Sequence, residues 1–120
     1  MAEHNLLGEK GEKLAKEYLE GLGYKIIALN WRERKFEIDL IAIDQQEIVF
    51  VEVKTRSTDV FGNPEEAVTS TKQQHLINGA DYYIQKNEID LECRFDVISV
   101  VLNSNQKEIK HFKTAFLPSF

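Results

Sequence analysis

Cys93 is the only cysteine among 120 residues, so no disulfide can form within the chain and a reducing compartment is expected. No apolar run approaches the roughly 20 residues of a membrane span. Met1 to Lys10 has neither the basic start nor the apolar stretch of a signal peptide, so a cytoplasmic location is expected. His4, His75 and His111 are scattered, without the spacing of a zinc site. Also missing are a glycine-rich phosphate loop, a nucleophile elbow and any internal repeat. A net charge of −5 and a pI near 5.2 exclude a generally basic nucleic-acid binder, so any such contact has to be a local basic patch on an acidic background. What remains is ordinary for a globular protein, with 42% hydrophobic and 29% charged residues. The length fits a single domain spanning 1–120.

The most informative stretch runs from Ile38 to Arg56. Ile38 to Ile43 and Ile48 to Arg56 are short, β-branched runs, and the polar break Asp44-Gln45-Gln46-Glu47 has the length of a tight hairpin. With Gln45 and Gln46 as the loop, Asp44 pairs with Glu47, Asp39 falls opposite Glu52, and Glu37 falls opposite Lys54. Side chains alternate with period two, so these groups share one face with Ile41, Ile43, Ile48 and Phe50. Opposed carboxylates on a partly apolar face need a compensating cation. Lys54 is one candidate. A divalent Mg²⁺ or Mn²⁺, which takes hard oxygen ligands held close together, is the other. The alternative is a solvated hairpin edge carrying an ordinary ladder of charges.

Before the hairpin, Gly8 to Leu22 places Gly11, Leu14, Ala15, Tyr18, Leu19 and Leu22 on one helical stripe, stopped by Gly21 and Gly23. Glu12 sits at the border of that stripe, either as a first-turn acid favoured by the helix dipole or as a catalytic group. Tyr24 to Asn30 reads as a strand and Trp31 to Lys35 as a basic connection. Trp31 either stacks on a base or covers the end of a core.

After the hairpin, Ser57 to Glu66 reads as a loop next to the site. Ser70-Thr71-Lys72-Gln73 has the form of a capping box opening a second amphipathic helix through Leu76, Ile77, Ala80, Tyr83 and Ile84. Lys72 in its first turn opposes the helix dipole, which marks it as a phosphate candidate or else as a solvated lysine. Arg94 to Leu102 reads as a buried strand and Lys107 to Phe112 as a further one, across the turn Asn103 to Gln106. Asp96 is expected to be structural, paired with Arg94 or a loop arginine, and His111 to be an edge-strand residue rather than a ligand. The order helix, strand, hairpin, helix, strand, strand describes an α/β sandwich with a mixed sheet.

Asp39, Glu52-Val53-Lys54, a preceding helix with Glu12 and a following helix with Lys72 resemble the PD-(D/E)xK nuclease superfamily. More narrowly, Gly11-Glu12-Lys13-Leu14-Ala15, Leu22-Gly23-Tyr24, Glu37-Ile38-Asp39-Leu40-Ile41-Ala42, Val49 to Arg56, Pro64-Glu65-Glu66-Ala67-Val68 and Arg94-Phe95-Asp96-Val97-Ile98 resemble the YraN family of small bacterial proteins. The archaeal Holliday junction resolvases are similar in the relative spacing of the helix glutamate, the aspartate and E-x-K. Where the superfamily name has proline before the aspartate, this sequence has Ile38. The resemblance implies a restriction-endonuclease-like three-layer sandwich with an α-β-β-β-α-β core. It also implies metal-dependent phosphodiester hydrolysis in nucleic acid, with structured or branched DNA as the expected substrate. Asp39, Glu52 and the carbonyl of Val53 would hold Mg²⁺ or Mn²⁺, and Glu12 would complete the shell. Lys54 would orient the attacking water or stabilise developing charge. Arg34, Arg56 and Lys72 are the candidates for phosphate contacts. Two other classes stay open: a nucleic-acid-binding module without turnover, and an interaction protein using the sheet edge near Lys107 to Phe112. Homodimer formation is left open as well.

Overall fold

A computed structural model describes residues 2–57 and 68–117, with side chains from Leu6 onward. Its organising piece is the expected hairpin. β2 (Phe36–Asp44) and β3 (Glu47–Arg56) pair antiparallel from Leu40↔Val51 to Asp44↔Glu47 across Gln45-Gln46. Gln45 takes the left-handed conformation, φ 57°, that such a turn requires. β3 then pairs in parallel with β4 (Glu92–Leu102), a connection that carries α2 (Ser70–Lys86) across one face of the sheet. β1 (Lys25–Glu33) and β5 (Lys107–Phe116) close the edges, giving a five-stranded mixed sheet in the order β1-β2-β3-β4-β5. α1 (Ala2–Gly21) covers the other face. This is the expected α/β sandwich, a restriction-endonuclease-like arrangement of helix, mixed sheet and helix.

Each helix buries one set of alternating strand residues. Ala15 and Leu19 of α1 pack with Leu40, Ala42, Val49, Val51, Val53, Ile98 and Val100. Leu76, Ile77 and Ala80 of α2 pack with Ile38, Ile41, Ile48, Phe50 and Phe95. The alternation slips in β2. Leu40 and Ala42 face α1 and Ile41 faces α2, so strict period two would send Ile38 toward α1, yet Ile38 packs with α2. The irregularity brackets Asp39, at the point where β2 and β3 stop pairing.

Two glycines are used for their missing Cβ. Gly23, φ 92°, lets Tyr24 N–H donate back to the Leu19 carbonyl at 3.0 Å and close the end of α1. At Gly11 a Cβ would lie 1.8 Å from Thr55 Oγ1. α1 therefore rests directly on β3 one residue from Glu12.

Several boundaries differ from the sequence reading. Trp31, Arg32 and Glu33 belong to β1, paired with Ile38, Glu37 and Phe36, so the basic connection shrinks to Arg34-Lys35. An edge strand keeps charged side chains solvated while its backbone pairs, which polarity alone does not reveal. The cap of α2 is Thr69, whose hydroxyl accepts from Lys72 N–H at 3.2 Å, while the Gln73 side chain donates to the Val68 carbonyl. The capping box at Ser70 is thus displaced by one residue, and Lys72 remains in the first turn. Of the loop expected over Ser57 to Glu66, all but Ser57 lies outside the described residues, as do Pro64 to Ala67.

Asp96 is structural, as expected. Arg94 donates to both its carboxylate oxygens at 2.9 Å, to Asp44 and Glu47 at 3.0 Å, and to the Tyr24 hydroxyl at 2.7 Å. His111 lies on the edge strand β5, but its side chain is turned inward, 4% exposed, with Nε2 2.7 Å from Asp96. Burial pushes the Asp96 carboxyl up. Bonds from His111, Arg94 and Thr114 N–H outweigh this and hold it below its usual range. An ionised Asp96 can only accept, so His111 Nε2 carries the proton. Among the described residues no helix is long and apolar enough to cross a membrane.

Candidate active site

Where the hairpin ladder ends, the carboxylate of Asp39 takes over from the backbone. Its Oδ2 accepts the Val53 N–H at 2.8 Å. The N–H and C=O of a strand residue lie on the same edge, so the Val53 carbonyl also faces the gap between β2 and β3. Glu52, 6% exposed, projects to the α2 side, where Lys72 Nζ reaches its Oε1 at 2.9 Å and Lys54 Nζ at 3.5 Å. Glu37, Asp39, Glu52, Lys72, His75 and Leu76 line one cleft of about 170 Å³. Glu37, Asp39 and Glu52 thus share one cleft with Lys72 of α2. The ladder, however, ends at Leu40↔Val51, before the expected Asp39–Glu52 and Glu37–Lys54 pairs, and Lys54 reaches the site through Glu52 rather than from the cleft lining.

The electrostatics are those of crowded acids. Asp39 is pushed up to about 7 by burial, then by the charge of Glu52, against the lowering effect of the Val53 N–H. Glu12 is raised by burial and then by Glu37 and, more weakly, Glu52, partly offset by Arg32. One of its oxygens is buried without a hydrogen-bond partner. Lys54 is shifted down by burial and by Lys72. For Lys72, burial is outweighed by hydrogen bonds with Lys54 and Glu52, and the shift is upward. Of the two ammonium groups, Lys54 gives up its proton more readily. Cys93 is no competing nucleophile, since burial pushes its thiol up to about 12.

Hard oxygen donors, a carboxyl pair that resists double ionisation and an orphaned glutamate oxygen fit a divalent cation. Among the described residues, no three of His, Cys, Asp and Glu stand close enough to hold an ion as they are. Glu52 is drawn instead onto Lys72 and Lys54.

Asp39 gives the site a definite pH signature. Its folded pKa lies above the ordinary aspartate value of 3.8, so the folded state binds more protons between about 4 and 7. Metal-free stability should therefore fall as pH rises through that window and level off above it. Asp39→Asn keeps an acceptor for Val53 N–H and removes the titration. We expect this variant to be as stable as the wild type, or more so, at pH 8, and to lose most of the stabilisation given by Mn²⁺. Thermal melts with and without Mn²⁺ across pH check both parts. An equal Mn²⁺ shift in the two proteins would put the ion elsewhere.

The other expected nucleic-acid contacts scatter. Trp31 lies edge-on to Tyr83 at 5.4 Å and packs, half-buried, against the α2 core. Arg34 occupies the β1–β2 turn at φ 55°, its guanidinium 5.4 Å from the Tyr82 ring centre. Arg56, half-buried near the end of β3 opposite Val101, does not line the cleft. His75 was missed as a cleft residue, and so were Phe36 and Tyr82 beside it. The available signal was His75, Asn78, Tyr82 and Gln85 at spacings of three and four, the outward stripe of α2.

A family model described as "Uncharacterised protein family UPF0102" matches residues 11–100. The chain is similar to a UPF0102 protein of Christiangramia forsetii, 45% identical over 97% of this chain and 98% of the relative. It is also similar to one of Bacteroides thetaiotaomicron, 47% identical over 98% of each, and to one of Porphyromonas gingivalis, 44% identical over 97% of this chain and 87% of the relative.

Proposed function

Because the chain belongs to the UPF0102 family, the YraN family of the sequence resemblance, and that description carries no activity, we propose from the site itself that it is a divalent-metal-dependent nuclease hydrolysing phosphodiester bonds. The observation that carries this reading is the meeting of Asp39, Glu52 and Lys54 at the point where β2 and β3 part. The resemblance of Glu12, Asp39 and Glu52-Val53-Lys54 to the PD-(D/E)xK pattern supports it. Similarity in spacing to the Holliday junction resolvases favours structured or branched DNA.

Asp39, Glu52 and the Val53 carbonyl would hold Mg²⁺ or Mn²⁺, with Glu12 supplying its orphaned oxygen to the same shell. The bound ion supplies Lewis-acid charge and a water acidified toward neutrality. Lys54, held 3.5 Å from Glu52 and shifted downward by burial, would orient an attacking water or stabilise the charge developing on the phosphate. Lys72, now 2.9 Å from Glu52, would be available to the phosphate oxygens with an ion on that carboxylate.

One observation favours a second reading, a nucleic-acid-binding module without turnover: the two lysines already neutralise Glu52 with no metal. Labelled linear, flapped and four-way-junction DNA, each incubated with and without Mg²⁺ or Mn²⁺, separates the two. Metal-dependent cleavage of any of them supports the nuclease. Retention without cleavage in either ion would leave the binding module.

A further inference from the structure

Beside the acidic cleft lies a larger one of about 730 Å³, between the β1–β2 turn and the outward stripe of α2. His75 lines both clefts, so they adjoin at one side chain. The larger wall is aromatic, with Phe36 5.8 Å from His75 and 5.5 Å from Tyr82 between ring centres. Its rim is cationic. Lys35 and Lys86 line it, and Arg34 joins Lys35, Phe36 and Tyr82 on an adjoining surface. Asp81 is the acid in the lining. Lys86 is committed to Glu33, whereas Lys35 makes no ion pair among the described residues.

Arg34 is held in a conformation that a non-glycine residue rarely adopts, and its Nε donates to the Tyr82 hydroxyl at 3.2 Å. That hydroxyl donates to Glu33, also at 3.2 Å. The turn is thus fastened to α2 with a ring and a guanidinium presented together. Rings beside cations suit the face of a base and the phosphates on either side of it. In a duplex those faces are already stacked, so such a wall can act only on unpaired bases. Its volume falls within the roughly 300–1,000 Å³ of small-ligand sites, room for a nucleotide.

We propose that this cleft binds an unpaired nucleotide of the substrate strand, with the base on Phe36 and Tyr82 and the flanking phosphate at Lys35. The strand would then pass His75 and deliver the next phosphodiester to Asp39 and Glu52. This rests on the nuclease reading and narrows its substrate to DNA with a single-stranded segment beside the cut.

The test does not depend on turnover. Fluorescence anisotropy in EDTA compares a short dye-labelled oligothymidylate with a blunt duplex of the same length. The oligothymidylate should bind more tightly. Tyr82→Ala should weaken it on the order of tenfold, the loss of one base–aromatic stack. Lys35→Glu, at an exposed turn, should weaken it too, and Tyr82→Phe should retain it. Three outcomes would overturn the proposal: no binding of the oligothymidylate, equal binding by wild type, Tyr82→Ala and Lys35→Glu, or an equal loss on the duplex. Failure of the nuclease reading appears elsewhere, as absent Mn²⁺ stabilisation and absent cleavage, and would leave these affinities unmoved.

Discussion

Glu52→Gln is expected to bring metal-dependent cleavage down to background, and Lys54→Ala to slow it about a hundredfold or more while DNA affinity changes little. The two effects differ in kind. An amide oxygen is a poorer ligand than a carboxylate where ligands are few, so Glu52→Gln removes the ion and with it the reaction. If Lys54 acts as proposed on the attacking water or the charge developing in the transition state, its loss belongs to the rate and not to binding. Both serve the same water, and the double variant should be little worse than Glu52→Gln alone. Single-turnover rates, with affinities measured separately in Ca²⁺, resolve these effects. If Lys54→Ala weakens binding as much as it slows cleavage, the lysine is a phosphate contact. Undiminished cleavage by Glu52→Gln would assign the activity to a contaminating nuclease.

The largest expected loss of stability lies at the other end of the hairpin. Arg94→Ala takes the guanidinium from Asp96, Asp44 and Glu47, leaves the buried Asp96 with His111 and the Thr114 N–H, and frees the Tyr24 hydroxyl. Arg94 is 8% exposed and Asp96 1%. Removing one partner of such a buried cluster costs about 3–5 kcal/mol, a large share of the roughly 5–15 kcal/mol that holds a domain folded. Arg94→Lys keeps the charge but cannot grip both Asp96 oxygens, and should fall in between. Urea unfolding measures both. A loss under about 1 kcal/mol for Arg94→Ala would mean that the acids are already screened by water.

Asp96 and Asp39 should also give opposite pH slopes. Asp96 is held below its usual range, so its contribution is complete above about 4 and is lost as pH falls through its folded value. Asp39 costs stability over the window above 4.

The hairpin was legible because period two and a two-residue turn leave little freedom. Once Asp44 pairs with Glu47, the faces of Glu52 and Lys54 follow. The slip at Asp39 was not legible, since it depends on Ile38 packing with Leu76, Ile77 and Ala80 of α2. Glu12 could be placed at the border of its helical stripe. That one of its oxygens is buried unpartnered depends on how closely Gly11 lets α1 sit on Thr55. Trp31 could be read either way from sequence, and the structure adds that it is half-buried and edge-on to Tyr83. Tyr82 shows a limit of periodicity. Neighbouring tyrosines on α2 point to different surroundings, and only the β1–β2 turn turns the outer one into the wall of a cleft.

The central claim is that Asp39 and Glu52 form a divalent-metal site. It is tested most directly by titrating Mn²⁺ into the metal-free protein at pH 8 and following the electron paramagnetic resonance of the free ion. The expected result is uptake of Mn²⁺ by the wild type, with uptake sharply weakened in Asp39→Asn and in Glu52→Gln and suppressed in the wild type below pH 6, where Asp39 holds its proton. Equal uptake by all three proteins, or none by the wild type, would contradict it.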